Sequence, residues 1–331
     1  MFVKKSISLT DREVKPSKPA DVVPKHTGLR PSLINSRPVV SSGSRSLDLL
    51  LSHGGIPVGT SLAILEQGTT DFASSVAKAF CSYGIHEIRT EQRTAIIIVG
   101  LPEFCRSLPG IESQHSEEPR PLPTKQKLDP ERKIAWRYQP SKEPEPKSSA
   151  FSPDLNYKAA LNPRPDSSEV TFIPMKSFAK VIEELRSVVS KLDKTTICRI
   201  VIPNFLHPAV YPPQSSNPKE TVPFLYCLRE IVRTHQVALI ISMSLQLYPL
   251  DHPVTIHMRE LIDSVIELHP FESEQVHGFV NILRLADLSN KGLMVARKQE
   301  YAFKLSKTQF KISDWAIPPD QETESSVKEA W

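Results

Sequence analysis

Two short apolar runs joined by a helical stripe constrain this chain more than any other feature. Ser61–Leu65 (SLAIL) and Thr94–Val99 (TAIIIV) are continuous apolar runs of strand length, the pattern of strands buried on both faces. Between them Phe72, Val76, Ala79, Phe80 and Tyr83 recur at helical spacing, and Gly84 is placed to supply the left-handed cap that ends the helix. A strand, a crossover helix and a second strand specify a parallel pair, and with it an α/β sheet covered on both faces.

The rhythm returns further on. Phe178, Val181, Ile182, Leu185, Val188, Val189 and Leu192 form one apolar stripe over Ser177–Leu192. Cys198–Ile202 predicts a third strand, Pro223–His235 a helix, Val237–Ser242 a fourth strand, Pro253–Ile262 a helix and Ser264–Leu268 a strand. Gly278–Leu285 and Tyr301–Ile312 read as antiparallel strands with short turns, one of them at Asn290–Gly292. The predicted fold class is therefore α/β: a mostly parallel central sheet flanked by helices, followed by a C-terminal antiparallel β-meander. This layout resembles RecA-like ATPase cores.

Around this core the composition changes. Residues 1–40 are predicted to be a flexible basic arm: within the first thirty, seven Lys or Arg face three acids, which accounts for the whole net charge of +4. A near-neutral body argues against a strong autonomous nucleic-acid binder, because counterion release needs clustered cations. Twelve of the 30 prolines lie between Pro102 and Pro165, so a long, mostly disordered insert is expected over roughly 105–168 of a single domain spanning 41–318. One ordered island is expected at 133–138, where Ile134, Trp136 and Tyr138 alternate with Lys133, Ala135 and Arg137. It reads either as a strand packing on the domain or as a partner-docking motif built from Ile134, Trp136, Arg137 and Tyr138. Residues 319–331 are expected to be an acidic flexible tail. The N-terminal stretch turns polar after three residues and no apolar run approaches the ~20 residues of a membrane span, so a soluble intracellular protein is expected.

The turn after the first strand decides the chemistry. In a doubly wound sheet, phosphate binds where that strand enters its helix. Here the turn is Glu66-Gln67-Gly68-Thr69-Thr70-Asp71. The pattern G-x-x-x-x-G-K-[ST], laid on it without gaps, puts Glu66 and Asp71 at the two glycines, Phe72 at the lysine and Ala73 at the hydroxyl. No Lys occurs between Thr60 and Lys78. The strand Arg199–Ile202 runs into Pro203-Asn204 without the carboxylate that would order Mg²⁺. No G-x-S-x-G or HExxH pattern is present, the four cysteines lack CxxC spacing, and His252 and His257 are off the i, i+4 spacing of paired ligands. No catalytic residue, cofactor or metal ligand is predicted; the six residues 66–71 read as a vestigial phosphate-loop turn or a subunit border.

Several strings in order carry a narrower resemblance. They are Arg30-Pro31-Ser32-Leu33-Ile34, Gly55-Ile56-Pro57-Val58-Gly59, the lysine-free turn, Leu108-Pro109-Gly110, Lys133–Tyr138, Leu206–Pro213, and Phe310-Lys311-Ile312 with Trp315. Together, from about Leu29 to Pro318, they resemble the Elongator complex protein 4 family. That resemblance implies a non-catalytic RecA-like subunit, two copies of which form a heterohexameric ring with Elongator complex proteins 5 and 6. It implies that the ring joins the catalytic Elongator subcomplex, binds tRNA and supports carboxymethyl-type modification of the wobble uridine, in the cytoplasm and also the nucleus. In such rings the loops after the central strands face the pore, here Pro203–Glu220 and Met243–Pro253. Tyr211, Lys219 and Tyr248 on them, with Arg229 and Arg233 on the following helix, are the RNA-contact candidates. The bland alternative is that these loops are solvated or cover a neighbouring subunit. The competing functional class is a RecA- or KaiC-like NTPase or recombinase with an unconventional nucleotide site.

Overall fold

A computed structural model describes residues 28–90, 92–111, 155–273, 275–286 and 300–315. The chain enters through β1 (Arg30–Pro31) and β2 (Pro38–Val40), passes α1 (Arg45–Leu50), and returns in β3 (Ile56–Pro57) to complete a small antiparallel sheet ordered β1-β2-β3. Residues 28–40, expected in the arm, are thus built into the folded body. There follow β4 (Thr60–Glu66), α2 (Phe72–Arg89), β5 (Thr94–Val99), β6 (Pro109–Ile111), β7 (Leu155–Ala160), β8 (Val170–Ile173), α3 (Phe178–Ser190) and β9 (Ile197–Ile202). The chain continues through α4 (Pro218–Thr234), β10 (Val237–Ser244), α5 (Pro253–Leu261), β11 (Ser264–Pro270), β12 (Gly278–Arg284), β13 (Tyr301–Leu305) and β14 (Phe310–Asp314).

Among the described residues the main sheet has nine strands in the order β14-β13-β12-β11-β4-β10-β9-β5-β8. The six from β11 to β8 run parallel to their neighbours, and β11 through β14 are joined antiparallel. Alternation along β4 explains its continuous apolar run: Leu62 and Ile64 enter the core under α2, whereas Ala63 and Leu65 enter the one under α3, α4 and α5. The sheet is therefore buried from both sides over its parallel half. At one edge, the hydroxyls of Ser44 and Ser46 donate to Phe310 O at 2.7 and 3.1 Å, and Ile312 N donates to Ser46 Oγ at 2.9 Å. The start of α1 thereby closes the edge that β14 would otherwise expose.

The span 105–168 holds ordered elements at both of its ends. Pro102–Ser107 forms a 3₁₀ turn, β6 pairs with β7 so that Ile111 lies opposite Leu155, and β8, which has no clear signal in the sequence, joins the main sheet beside β5. The two ends of segment 112–154 are thus held side by side. The island 133–138, with Ile134, Trp136, Arg137 and Tyr138, lies outside the described residues, as do the Asn290–Gly292 turn and the acidic tail. The helix expected from Pro223 begins at Pro218, because Asn217 Oδ1 accepts Lys219 N at 3.0 Å and caps it one turn earlier.

Gly84 corrects a second boundary. It does not end α2, which runs on to Arg89. A β-carbon at Gly84 would lie 2.6 Å from Arg199 Cδ and 3.0 Å from Ile96 Cδ1, so glycine is needed there for close approach rather than for a cap. Arg199 is fully buried: its guanidinium donates to Glu87 Oε1 and Oε2 at 2.8 and 3.0 Å and to Ser41 O at 2.9 Å, over the rings of Phe80 and Tyr83. Nearby, Asp48 is buried and accepts Ser41 Oγ at 2.6 Å and Ser42 N at 2.7 Å. Burial pushes its carboxyl up to about 6, against the opposing pull of those two donors and of Arg199.

Gly84→Ala is expected to cost about 1–3 kcal/mol through overpacking, in place of the gain that Ala normally brings inside a helix, and urea denaturation checks the sign. Because Asp48 titrates higher in the folded chain than in the unfolded one, its contribution to stability is full below about pH 4 and lost as pH rises through about 6. At about 1.4 kcal/mol per pKa unit that contribution is ~3 kcal/mol, and denaturation at acidic and neutral pH should show this component absent from Asp48→Asn.

Candidate functional site

The residues at the mouth of β4 do not leave a phosphate seat open. Glu66, the last residue of β4, is 4% exposed, and its Oε1 accepts Thr70 Oγ1 at 2.6 Å and Phe72 N at 3.0 Å. Its Oε2 accepts Ala73 N at 2.8 Å. These backbone donors are the free amides at the start of α2, and the carboxylate also faces the positive end of that helix dipole. Glu66 thus occupies, from within the chain, the position that a bound anion takes at such a turn. The carboxylate supplies the negative charge itself, so a lysine at position 72 would have no phosphate to hold, and Phe72 instead stacks on His277 and meets Phe303 edge-on.

The other turn residues divide. Gln67 Nε2 donates to Glu267 Oε1 at 2.7 Å, Gly68 takes a positive φ of 77°, and Asp71 stands exposed at the N-cap position without a side-chain capping bond. Of the two carboxylates in the turn, only Asp71 is accessible to a neighbour, because Glu66 is buried. Beside the turn lies a cavity of about 730 Å³ lined by Gly68, Thr69, Thr70, Phe72, Phe271 and His277. At the end of β9, where a magnesium-ordering carboxylate would stand, Asn204 has a φ of 49°, donates its backbone N–H to Ser242 Oγ at 2.9 Å, and sits across from Ser74.

The five RNA-contact candidates do not converge. Tyr211 is 4% exposed and its ring packs among Phe178 and Phe205, so its expected role as a base-stacking residue is corrected: the core uses that ring. Tyr248 is half-buried and its hydroxyl donates to Leu206 O at 3.1 Å. Arg233 is paired with Asp263, which also accepts the N–H and hydroxyl of Ser61 at the start of β4. It therefore sits at the opposite end of the sheet from Tyr248. Lys219 is exposed in the first turn of α4 and Arg229 is half-buried further along; at 1.5 Å per residue, Lys219 and Arg233 are about 21 Å apart along the axis. Aromatic and cationic residue types marked these positions in the sequence, but the face on which each would fall was not encoded locally.

The geometry defines an α/β protein whose strand-to-helix turn holds a resident carboxylate against the first amides of α2. The family model of the PAXNEB protein matches residues 22–330. The chain is 30% identical to Elongator complex protein 4 of Saccharomyces cerevisiae, over 92% of this chain and 79% of that protein. The Schizosaccharomyces pombe protein of the same name is also 30% identical, over 91% of each chain, and the Homo sapiens one is 25% identical over 88% of this chain and 80% of its own. The chain belongs to the PAXNEB protein family, as a homologue of Elongator complex protein 4.

Glu66→Lys is expected to be strongly destabilising, by about 3–5 kcal/mol, because it sets a buried cation against amide donors. The exposed Asp71→Lys should stay within about 0.5 kcal/mol of the parent chain. Thermal and urea melts of the two single variants check the contrast; equal effects would mean that Glu66 does not fill the seat.

Proposed function

We propose that this chain is a non-catalytic, RecA-like subunit of the Elongator complex that works by assembly. In this reading it forms a ring with Elongator complex proteins 5 and 6, docks with the catalytic Elongator subcomplex, and supports carboxymethyl-type modification of the wobble uridine of tRNA, in the cytoplasm and the nucleus. The relatives' names support membership of the complex. The observation that carries the non-catalytic part is the Glu66 carboxylate bound by Thr70, Phe72 and Ala73. A nucleotide phosphate at the same amides would meet that charge at contact distance with its hydrogen-bond donors already used, which is repulsive at any effective dielectric of a protein. The same carboxylate disfavours the NTPase reading. A tightly filled turn, unlike an open one, also presents a fixed surface, with Asp71 and the adjoining cavity free to meet a neighbouring subunit.

Two measurements test the reading. Native mass measurement of the assembly copurifying with the tagged chain should give equal numbers of this subunit and two further Elongator subunits; a lone chain would overturn the assembly. Calorimetric titration of the isolated chain with Mg-ATP should show no binding in the micromolar range. Binding lost on mutation of Thr69 and Thr70 would overturn the non-catalytic assignment.

A further inference from the structure

The cavity beside the Glu66 turn has an aromatic wall and an acidic rim. Phe72 at the start of α2 lines it on one side, and Pro270, Phe271 and His277, at and after the end of β11, line it on the other. Neighbouring bonds hold these rings in place. Phe72 and His277 stack with 5.4 Å between ring centroids, Phe271 N donates to His277 O at 3.0 Å, and Leu305 N donates to His277 Nδ1 at 3.1 Å. A doubly protonated imidazole has no acceptor for that last bond, so His277 brings no charge to the wall. Phe271 leaves 38% of its surface uncovered.

The rim carries charge of one sign. Glu272 lines the cavity, and Asp71 directly precedes Phe72; both are exposed. Among the described residues neither side chain has a hydrogen-bond or ion-pair partner, and no Lys or Arg lines the cavity. Behind them Glu66 adds a third carboxylate, its oxygens already taken by Thr70, Phe72 and Ala73. Gly68, Thr69 and Ser273 are exposed around the same opening, so the cavity faces whatever lies against this surface.

Three kinds of occupant fail against these groups, and one fits. A phosphate or an RNA strand meets carboxylates where it needs cations. An apolar side chain would cover Asp71 and Glu272 without a partner, which costs free energy for each. A lysine ammonium answers the charge but presents a compact, strongly hydrated head to the rings. A guanidinium is planar, stacks on an aromatic face and gives a carboxylate two parallel N–H donors. We propose that this cavity receives an arginine side chain of a neighbouring protein subunit, stacked on Phe271 and hydrogen-bonded to Glu272 and Asp71. The proposal rests on the assembly reading above and names the chemistry of one contact within it.

The test is photo-crosslinking in the copurified assembly, with Phe271→p-benzoylphenylalanine in this chain, followed by mass mapping of the joined peptides. The expected product joins position 271 to a peptide of another subunit, with an arginine at or next to the point of attachment. A product confined to this chain, an arginine-free partner peptide, or no product overturns the proposal. Asp71→Asn combined with Glu272→Gln should raise the dissociation constant of the assembly about tenfold and flatten its salt dependence. Phe271→Ala should weaken assembly about fivefold with the salt dependence kept. Both variants change exposed side chains, so the melting temperature of the isolated chain should not move. Assembly of unchanged affinity in both variants overturns the proposal and leaves the assembly reading standing. If the copurifying subunits are not Elongator ones while the crosslink and the variants behave as expected, the assembly reading fails and the arginine contact stands.

Discussion

A fully buried guanidinium holds the middle of this fold together. Arg199 lies on β9, inside the sheet, where an unpaired charge would cost several kcal/mol in desolvation. Every feature around it answers that cost. Glu87 on α2 gives a two-oxygen partner, the Ser41 carbonyl takes a further N–H, and Phe80 and Tyr83 offer ring faces. Gly84 clears the space through which the side chain reaches the helix. One residue thus fixes the distance of α2 from the sheet, and through Ser41 and Asp48 it also fixes the approach of β2 and α1.

The same helix is held at its other end by a second carboxylate. Glu66 satisfies the amides of Phe72 and Ala73, as Glu87 satisfies Arg199 about four turns further along the helix. With both ends tied by charge-assisted hydrogen bonds, α2 has little freedom to slide when a neighbour arrives. A nucleotide-driven enzyme needs the first of these ends open to its phosphates. Here the amides at that end are already taken by the Glu66 carboxylate.

Much of the fold was legible in the sequence. The strands at Ser61–Leu65, Thr94–Val99, Cys198–Ile202 and Val237–Ser242 stand within one or two residues of β4, β5, β9 and β10, because strands buried on both faces must be continuously apolar. The seven apolar side chains of the stripe, six on α3 and Leu192 just past its end, were read in full for a similar reason: one stripe faces one core. β8 was missed, since four residues bounded by Pro and acids carry no periodic signal, and it is defined by its pairing with β5. Gly84 was misread because glycine serves both as a cap and as a gap, and only the partner across the gap, Arg199, tells the two apart.

The chemistry divides along the same line. The sequence by itself shows Phe72 and Ala73 at the lysine and hydroxyl positions of a phosphate-loop pattern, and Pro203-Asn204 after the third strand where a carboxylate would stand. It could not say what fills the site instead. That Glu66 turns inward to the amides of α2 while Asp71 faces solvent is decided by how the end of β4 and the start of α2 are set against each other. Likewise Tyr211, chosen for its residue type, is drawn into the core by Phe178 and Phe205, whereas Phe72, Phe271 and His277 come together only when the start of α2 meets the segment between β11 and β12. Residue type is local, but the face on which a side chain emerges depends on long-range pairing, and that is a property of the tertiary structure alone.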